Sequence, residues 1–207
     1  MKPSCIAIYG ETCSGKSTLG KYLGSAMGCP YISFGDLKRD SIAQGTLVGA
    51  AIQKLLAARC PLPSDLGYAV IKDAIKDGLN FVSGYPISVD EFKAFTAKIS
   101  IVGTIMLEVD EATLVQRFGQ RRQCRQCHFP GVEGDRCPVH QIPMTLREDV
   151  SVEELSSRKR LYRQRIQPFL ESSQIKTLPQ LVLNSSALNK EGMVRQAERW
   201  VKQLITP

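Results

Sequence analysis

The sequence predicts an α/β fold: a three-layer core with a parallel sheet of about five strands. Three observations predict it. Apolar runs of strand length recur at Cys5–Tyr9, Tyr31–Ser33, Leu79–Ser83, Ile101–Val109 and Leu181–Leu183. Helical patterns separate them: Ser17–Met27, several short ones between Asp36 and Asp77, then Val89–Lys98, Glu111–Arg122, Val152–Glu171 and Lys190–Leu204. Strands that alternate with helices imply a parallel sheet covered on both faces. Between the first strand and the first helix stands Gly10-Glu11-Thr12-Cys13-Ser14-Gly15-Lys16-Ser17, which fits G-x-x-x-x-G-K-[ST].

Strand, glycine loop and helix is the setting in which that motif binds phosphate. Gly10 and Gly15 let the backbone turn tightly and bring its N–H groups near phosphate oxygens. Lys16 reaches β- and γ-phosphates, and the Ser17 hydroxyl helps hold Mg²⁺. The helix, with Leu19, Tyr22, Leu23 and Ala26 on one face, adds its dipole to the anion site. The run from Gly10 to Ser17, with Thr18, is therefore the candidate nucleotide site.

At 207 residues the chain is long enough for one substantial core with small inserted lobes. Its 43% hydrophobic and 23% charged residues suit a globular protein. No run approaches membrane-spanning length. The first strand begins almost at once, leaving no room for a signal peptide, so the cytoplasm is the expected compartment. Seven cysteines are then expected as thiols or metal ligands rather than disulfides. A net charge of +7 suits an anionic partner, and nucleotides satisfy that as well as nucleic acid does. Two segments interrupt the alternation: residues 36–77, helical throughout, and residues 123–146, rich in Cys, Pro, Gly and His.

The second segment carries Cys124-x2-Cys127 and Cys137-x2-His140. Two close ligand pairs on turns can converge into a tetrahedral N/S site that suits structural Zn²⁺. His128 is an alternative fourth ligand, although its adjacency to Cys127 makes the geometry harder. Cys5 reads as a core residue, Cys29 and Cys60 as partly buried, and Cys13 as a small side chain tolerated in the loop.

Further motifs follow in order. They are Ser33-Phe34-Gly35-Asp36-Leu37-Lys38-Arg39, Gly45-Thr46-Leu47-Val48-Gly49, Leu62-Pro63-Ser64-Asp65, Gly84-Tyr85-Pro86-Ile87, Glu111 to Arg122, Arg147-Glu148-Asp149 and Arg158-Lys159-Arg160-Leu161. In order and spacing they resemble the adenylate kinase family of nucleoside monophosphate kinases over nearly the whole chain. About two extra residues lie between Asp149 and Arg158 compared with the common spacing. The resemblance implies a core of residues 1–35, 78–120 and 147–207, a helical acceptor-binding lobe of 36–77 and a zinc-bearing lid of 121–146. It also implies transfer of the ATP γ-phosphoryl, with Mg²⁺, to a nucleoside monophosphate. Arg117 should lie against the ATP base. Lys16, Arg121, Arg147 and Arg160 should surround the transferring phosphates, and Arg39 should bind the acceptor phosphate. Asp36 should act with Ser17 on Mg²⁺, through water. Arg158, Arg163 and Arg165 read as a solvated basic face.

The departures from the family lie in the acceptor half. Ile87 replaces an arginine, Phe34 a small residue, Glu91 a base-reading glutamine and Ser83 an acid. With Gly84 and Tyr85 these residues form the candidate acceptor site, and AMP is not its assured ligand. Glu91, an acceptor of hydrogen bonds only, favours donor-bearing groups. Three other readings stay open: a kinase of a non-nucleotide small molecule, a non-catalytic nucleotide-binding module, and nucleic-acid binding through the Cys-rich segment. A monomer, with neither nucleic acid nor membrane as partner, is the expected state.

Overall fold

The computed structural model describes residues 2–58, 60–131, 134–147 and 151–205. Strand β1 (Ser4–Gly10) is central. It is followed by α1 (Lys16–Met27), β2 (Tyr31–Ser33), α2 (Phe34–Ala43), α3 (Leu47–Ala57) and α4 (Ser64–Ile71). Then come β3 (Leu79–Ser83), α5 (Val89–Thr96), β4 (Ser100–Glu108) and α6 (Glu111–Gly119). Three two-residue strands, β5 (Arg122–Gln123), β6 (Pro130–Gly131) and β7 (Thr145–Leu146), precede α7 (Val152–Leu161). The chain ends through α8 (Gln167–Leu170), α9 (Ser173–Lys176), β8 (Gln180–Asn184) and α10 (Lys190–Ile205).

The main sheet has five strands in the order β2-β3-β1-β4-β8, and every pairing is parallel. Alternation along β1 divides the core. Cys5, Ala7 and Tyr9 face one cluster, which also takes in Phe34, Ile71, Tyr85, Phe95 and Phe169. Ile6 and Ile8 face the other, with Leu19 and Leu23 of α1 and Met193, Ala197 and Val201 of α10. This is the period of two expected of a strand buried on both faces. Among the described residues no helix is long and apolar enough to cross a membrane.

The helix starts are written locally. The side chains of Ser33, Thr46, Ser88, Asp110 and Ser151 each accept a backbone N–H three residues on. Each such cap is worth about 1 kcal/mol. Besides α5, which stops at Thr96 rather than Lys98, the ends differ from expectation most in two places. The helix from Glu111 stops at Gly119 rather than Arg122, because Arg122 and Gln123 are taken into a second, antiparallel sheet of order β6-β5-β7. The helix expected over Val152–Glu171 widens into a π-helical turn at Tyr162–Ile166, one residue ahead of Pro168. Proline cannot donate the N–H that an uninterrupted α-helix needs there. Cys60, expected to be partly buried, is exposed.

Helices α2 and α3 cross at Gly49, where a Cβ would lie 1.9 Å from the Ser41 carbonyl oxygen. Backbone cannot yield as a flexible side chain can. Gly49→Ala should lower stability by about 1–3 kcal/mol in urea unfolding. Gly119→Ala, whose Cβ would meet nothing within 4 Å, should change it by less than about 1 kcal/mol.

Candidate active site and candidate metal centre

The phosphate loop crosses the C-terminal end of β1. Gly10 has φ +143°, and a Cβ there would stand 2.5 Å from the Leu107 carbonyl oxygen. Cys13 and Gly15 also take left-handed backbone, at φ +64° and +94°. Lys16 folds back over this loop, its Nζ donating to the carbonyls of Gly10 at 2.7 Å and Glu11 at 2.5 Å. Burial, and after it the Arg121 guanidinium, bring the Lys16 ammonium down from its ordinary 10.5 to about 8.

A cleft of about 890 Å³ opens in front of the loop. Thr12, Cys13, Gly15, Lys16, Ser17 and Thr18 line it, whereas Gly10, Glu11 and Ser14 do not. Arg117, Arg121 and Arg147 line it too. Arg117 spans the loop and the end of β8, donating to the Cys13 carbonyl at 3.4 Å and to the Ser185 carbonyl at 2.6 Å. Lysines and arginines of the lining far outnumber its two aspartates, Asp36 and Asp135. The cleft thus suits a polyanion, and the oxygens of Ser17 and Asp36 suit a hard divalent cation such as Mg²⁺.

One arginine lies elsewhere. Arg160 faces outward beside Lys159 and Arg163, and Arg158 lines the cleft in its place. Arg158 is close enough to the loop to act electrostatically on both Cys13 and Lys16. Arg158 stands two positions before Arg160, so taking Arg158 as the counterpart removes the two-residue surplus noted after Asp149. Glu148 and Asp149 themselves lie outside the described residues. Sequence reading also missed Leu188, Asn189 and Met193, which line the cleft as well. No motif marks these residues.

The acceptor-side residues divide. Arg39, Asp36, Ser83 and Gly84 line the cleft, and Arg39 is ion-paired with Asp36. Phe34 and Tyr85 are buried against each other, ring centroids 4.7 Å apart, and are core rather than lining. Glu91 is 3% exposed. One of its oxygens accepts the Ile87 N–H at 2.7 Å, and the other pairs with Arg165 at 2.9 Å. Burial pushes the Glu91 carboxyl up, while Ile87 and Arg165 pull it down. Ile87 is held in that local network and does not line the cleft. Arg165 is therefore a buried carboxylate's partner, not part of a solvated face.

The Cys-rich segment forms two matching turns. Cys124 N–H donates to the Phe129 carbonyl and Cys137 N–H to the Ile142 carbonyl, at 2.9 and 2.8 Å. His128 and Gln141 occupy equivalent left-handed positions, at φ +55° and +56°. Backbone N–H groups of Gln126 and His140 each point at the first cysteine sulfur of their turn, at 3.4 Å. All four ligand atoms of Cys124, Cys127, Cys137 and His140 lie within 4.8 Å of one another. Cys127 and Cys137 sulfurs are 3.6 Å apart, and His140 Nδ1 is 3.6 Å from Cys124 and 3.7 Å from Cys137. Those separations are too long for a disulfide. They match the edges, about 3.5–3.8 Å, of a tetrahedron with Zn–S about 2.3 Å and Zn–N about 2.0 Å. Burial would push the Cys137 thiol up, but the N–H groups of His140 and Val139 outweigh it and hold the thiol below its ordinary value. His128 is not the fourth ligand: its Nε2 is paired with Asp40 at 2.7 Å.

The displaced value of Lys16 has a measurable consequence. Between pH 8 and 10.5 the unfolded chain holds this proton more tightly than the folded one. The contribution of Lys16 to stability therefore rises with pH across that window. Without nucleotide, the stability of the wild type relative to Lys16→Met should rise by about 1–3 kcal/mol between pH 7.5 and 10.5 in paired urea titrations. A flat difference would contradict the assignment.

Comparison with known proteins agrees with this arrangement. A family model described as AAA domain matches residues 9–128, more than half of the chain. The adenylate kinase of Pseudothermotoga lettingae is 28% identical over 97% of this chain and 99% of its own length. Those of Thermosipho africanus and Chlamydia pneumoniae are each 28% identical, over 92% and 93% of this chain and 96% and 94% of their own. Over residues 9–128 the chain belongs to the AAA-domain family of P-loop proteins, and over nearly its whole length it is adenylate-kinase-like.

Proposed function

We propose that this protein transfers the γ-phosphoryl group of Mg²⁺–ATP to a nucleoside monophosphate. One observation carries the reading: Lys16, Arg121, Arg147 and Arg158, drawn from four separate places in the chain, line one cleft over the phosphate loop. Such transfer is mainly a matter of positioning and of stabilising charge spread over the phosphoryl oxygens. The relatives named adenylate kinase share that reaction class in their names.

In this reading loop N–H groups and Lys16 cradle the β- and γ-phosphates. Arg117 supports the ATP base from its anchor on Ser185. Arg121, Arg147 and Arg158 neutralise charge that develops between donor and acceptor. Arg39 holds the acceptor phosphate once Asp36 releases it to the nucleotide's cation. The cation, bound through Ser17 and water on Asp36, offsets phosphate charge. Residues 121–146 act as a lid and 36–77 as the acceptor lobe over a core of 1–35, 78–120 and 147–207, excluding water from the transfer. Zn²⁺ held by Cys124, Cys127, Cys137 and His140 is structural, since all four of its positions are filled by protein.

The acceptor is not read as adenine by Glu91, whose two oxygens are already engaged. That observation favours a second reading, a non-nucleotide phosphorylated acceptor on the same scaffold. A steady-state screen of AMP, CMP, UMP, GMP and their deoxy forms with Mg²⁺–ATP separates the two. Turnover of none points to the second reading; tight ATP binding with transfer to no acceptor of any kind would leave a nucleotide-binding module instead.

With an active acceptor, Arg158→Ala should lower kcat by 10²-fold or more, by about the scale of a transition-state arginine. Arg160→Ala should stay within a few-fold of wild type, and the reverse ranking would sink the assignment. Complete removal of zinc by a chelator should lower Tm by several degrees. An unchanged Tm after verified removal would refute a structural metal.

A further inference from the structure

Tyr31 is absent from the motifs and from the cleft lining, yet it touches the site from behind. Strands β2 and β3 pair with Tyr31 opposite Phe81 and Ser33 opposite Ser83. Alternation puts all four side chains on the face beneath α1. The Tyr31 ring lies flush on that helix at Gly20, where a Cβ would stand 2.1 Å from a ring carbon. With that passage open, the ring carries its hydroxyl two positions along the neighbouring strand, to 2.7 Å from Ser83 Oγ. The hydroxyls of Ser17 and Ser33 lie near enough to act on its proton. Ser17, Ser33 and Ser83 all line the cleft, so the phenol sits behind three hydroxyls of its wall and is hydrogen-bonded to one of them, Ser83.

A serine hydroxyl that ligates a cation presents a lone pair to it and must send its own proton elsewhere. The phenolic oxygen, which the Ser17 hydroxyl influences, can serve as that acceptor, and the phenol in turn can donate to Ser83. Burial pushes the Tyr31 phenol up, which keeps that proton in place at neutral pH. Ser83 brings no charge, so the relay is made of neutral groups.

We infer that Tyr31 is a positioning residue for the nucleotide's divalent cation: it accepts the Ser17 proton, donates to Ser83, and so turns the Ser17 lone pair toward the cation. The inference rests on the proposed nucleotide site. It does not depend on which acceptor is used.

The test is equilibrium titration with a fluorescent ATP analogue, with and without added Mg²⁺, on the full chain. Mg²⁺ should tighten binding to the wild type. In Tyr31→Phe the enhancement by Mg²⁺ should fall about three- to tenfold, the scale of one lost hydrogen bond, with affinity in the absence of added cation unchanged. Ser83→Ala should lose enhancement in the same sense, and the double variant no more than Tyr31→Phe alone. Equal enhancement in all proteins would overturn the inference. So would equal losses with and without Mg²⁺, which would make Tyr31 a packing residue only. Those outcomes leave the nucleotide site standing, whereas a wild type that binds no ATP would overturn the site and the inference together.

Discussion

The site depends on the close approach of Gly10 to Leu107. The two are paired across the top of β1 and β4, and no side chain fits between the Gly10 backbone and the Leu107 carbonyl. Only there can the chain leave the central strand, reverse over its end and enter α1 within a few residues. β1 sits between β3 and β4, so the reversal opens at the middle of the sheet's C-terminal edge. Elements that leave β2 and β3 approach it from one side, and those that leave β4 and β8 from the other. The cleft follows from that topology, as ligand sites in open parallel sheets do.

Charge organises what converges there. Burial first, and then the neighbouring Arg121, makes Lys16 easier to deprotonate in a cleft crowded with cations. A nucleotide triphosphate relieves that repulsion, so the stability of the empty site and its affinity for anions are two aspects of one field. Behind the acceptor side the logic is inverted. Glu91 is buried at the start of α5, where its carboxylate is satisfied by a backbone N–H and by Arg165. Removing either partner from such a buried carboxylate leaves a costly unpaired charge. This pair ties the end of α7's continuation to α5, and it holds the segment that presents Arg158.

The Cys-rich segment has a different basis for its order. Among the described residues, none between 122 and 146 joins either hydrophobic cluster. Its three strands are two residues each, too short to hold by themselves. Two superposable turns bring four soft and borderline ligands together, which is how small lobes without a core become stable. The segment then rests on the rest of the molecule through polar contacts, His128 on Asp40 and Lys21 on the Cys127 carbonyl.

The sequence by itself determined the order and type of nearly all the main elements, the phosphate loop and the four-ligand cluster. These are set by local rules: apolar period, glycine at forced backbone angles, capping side chains and ligand spacing. It could not place Arg158 rather than Arg160 in the cleft, because that depends on helix phase after a segment of unusual spacing. Nor could it show that Glu91 is already occupied, that Phe34 belongs to the core, or that Tyr31 reaches Ser83. Each of those turns on contacts between residues distant in sequence. Tertiary packing alone decides which face of a helix meets the site, and which polar group is used up before any ligand arrives.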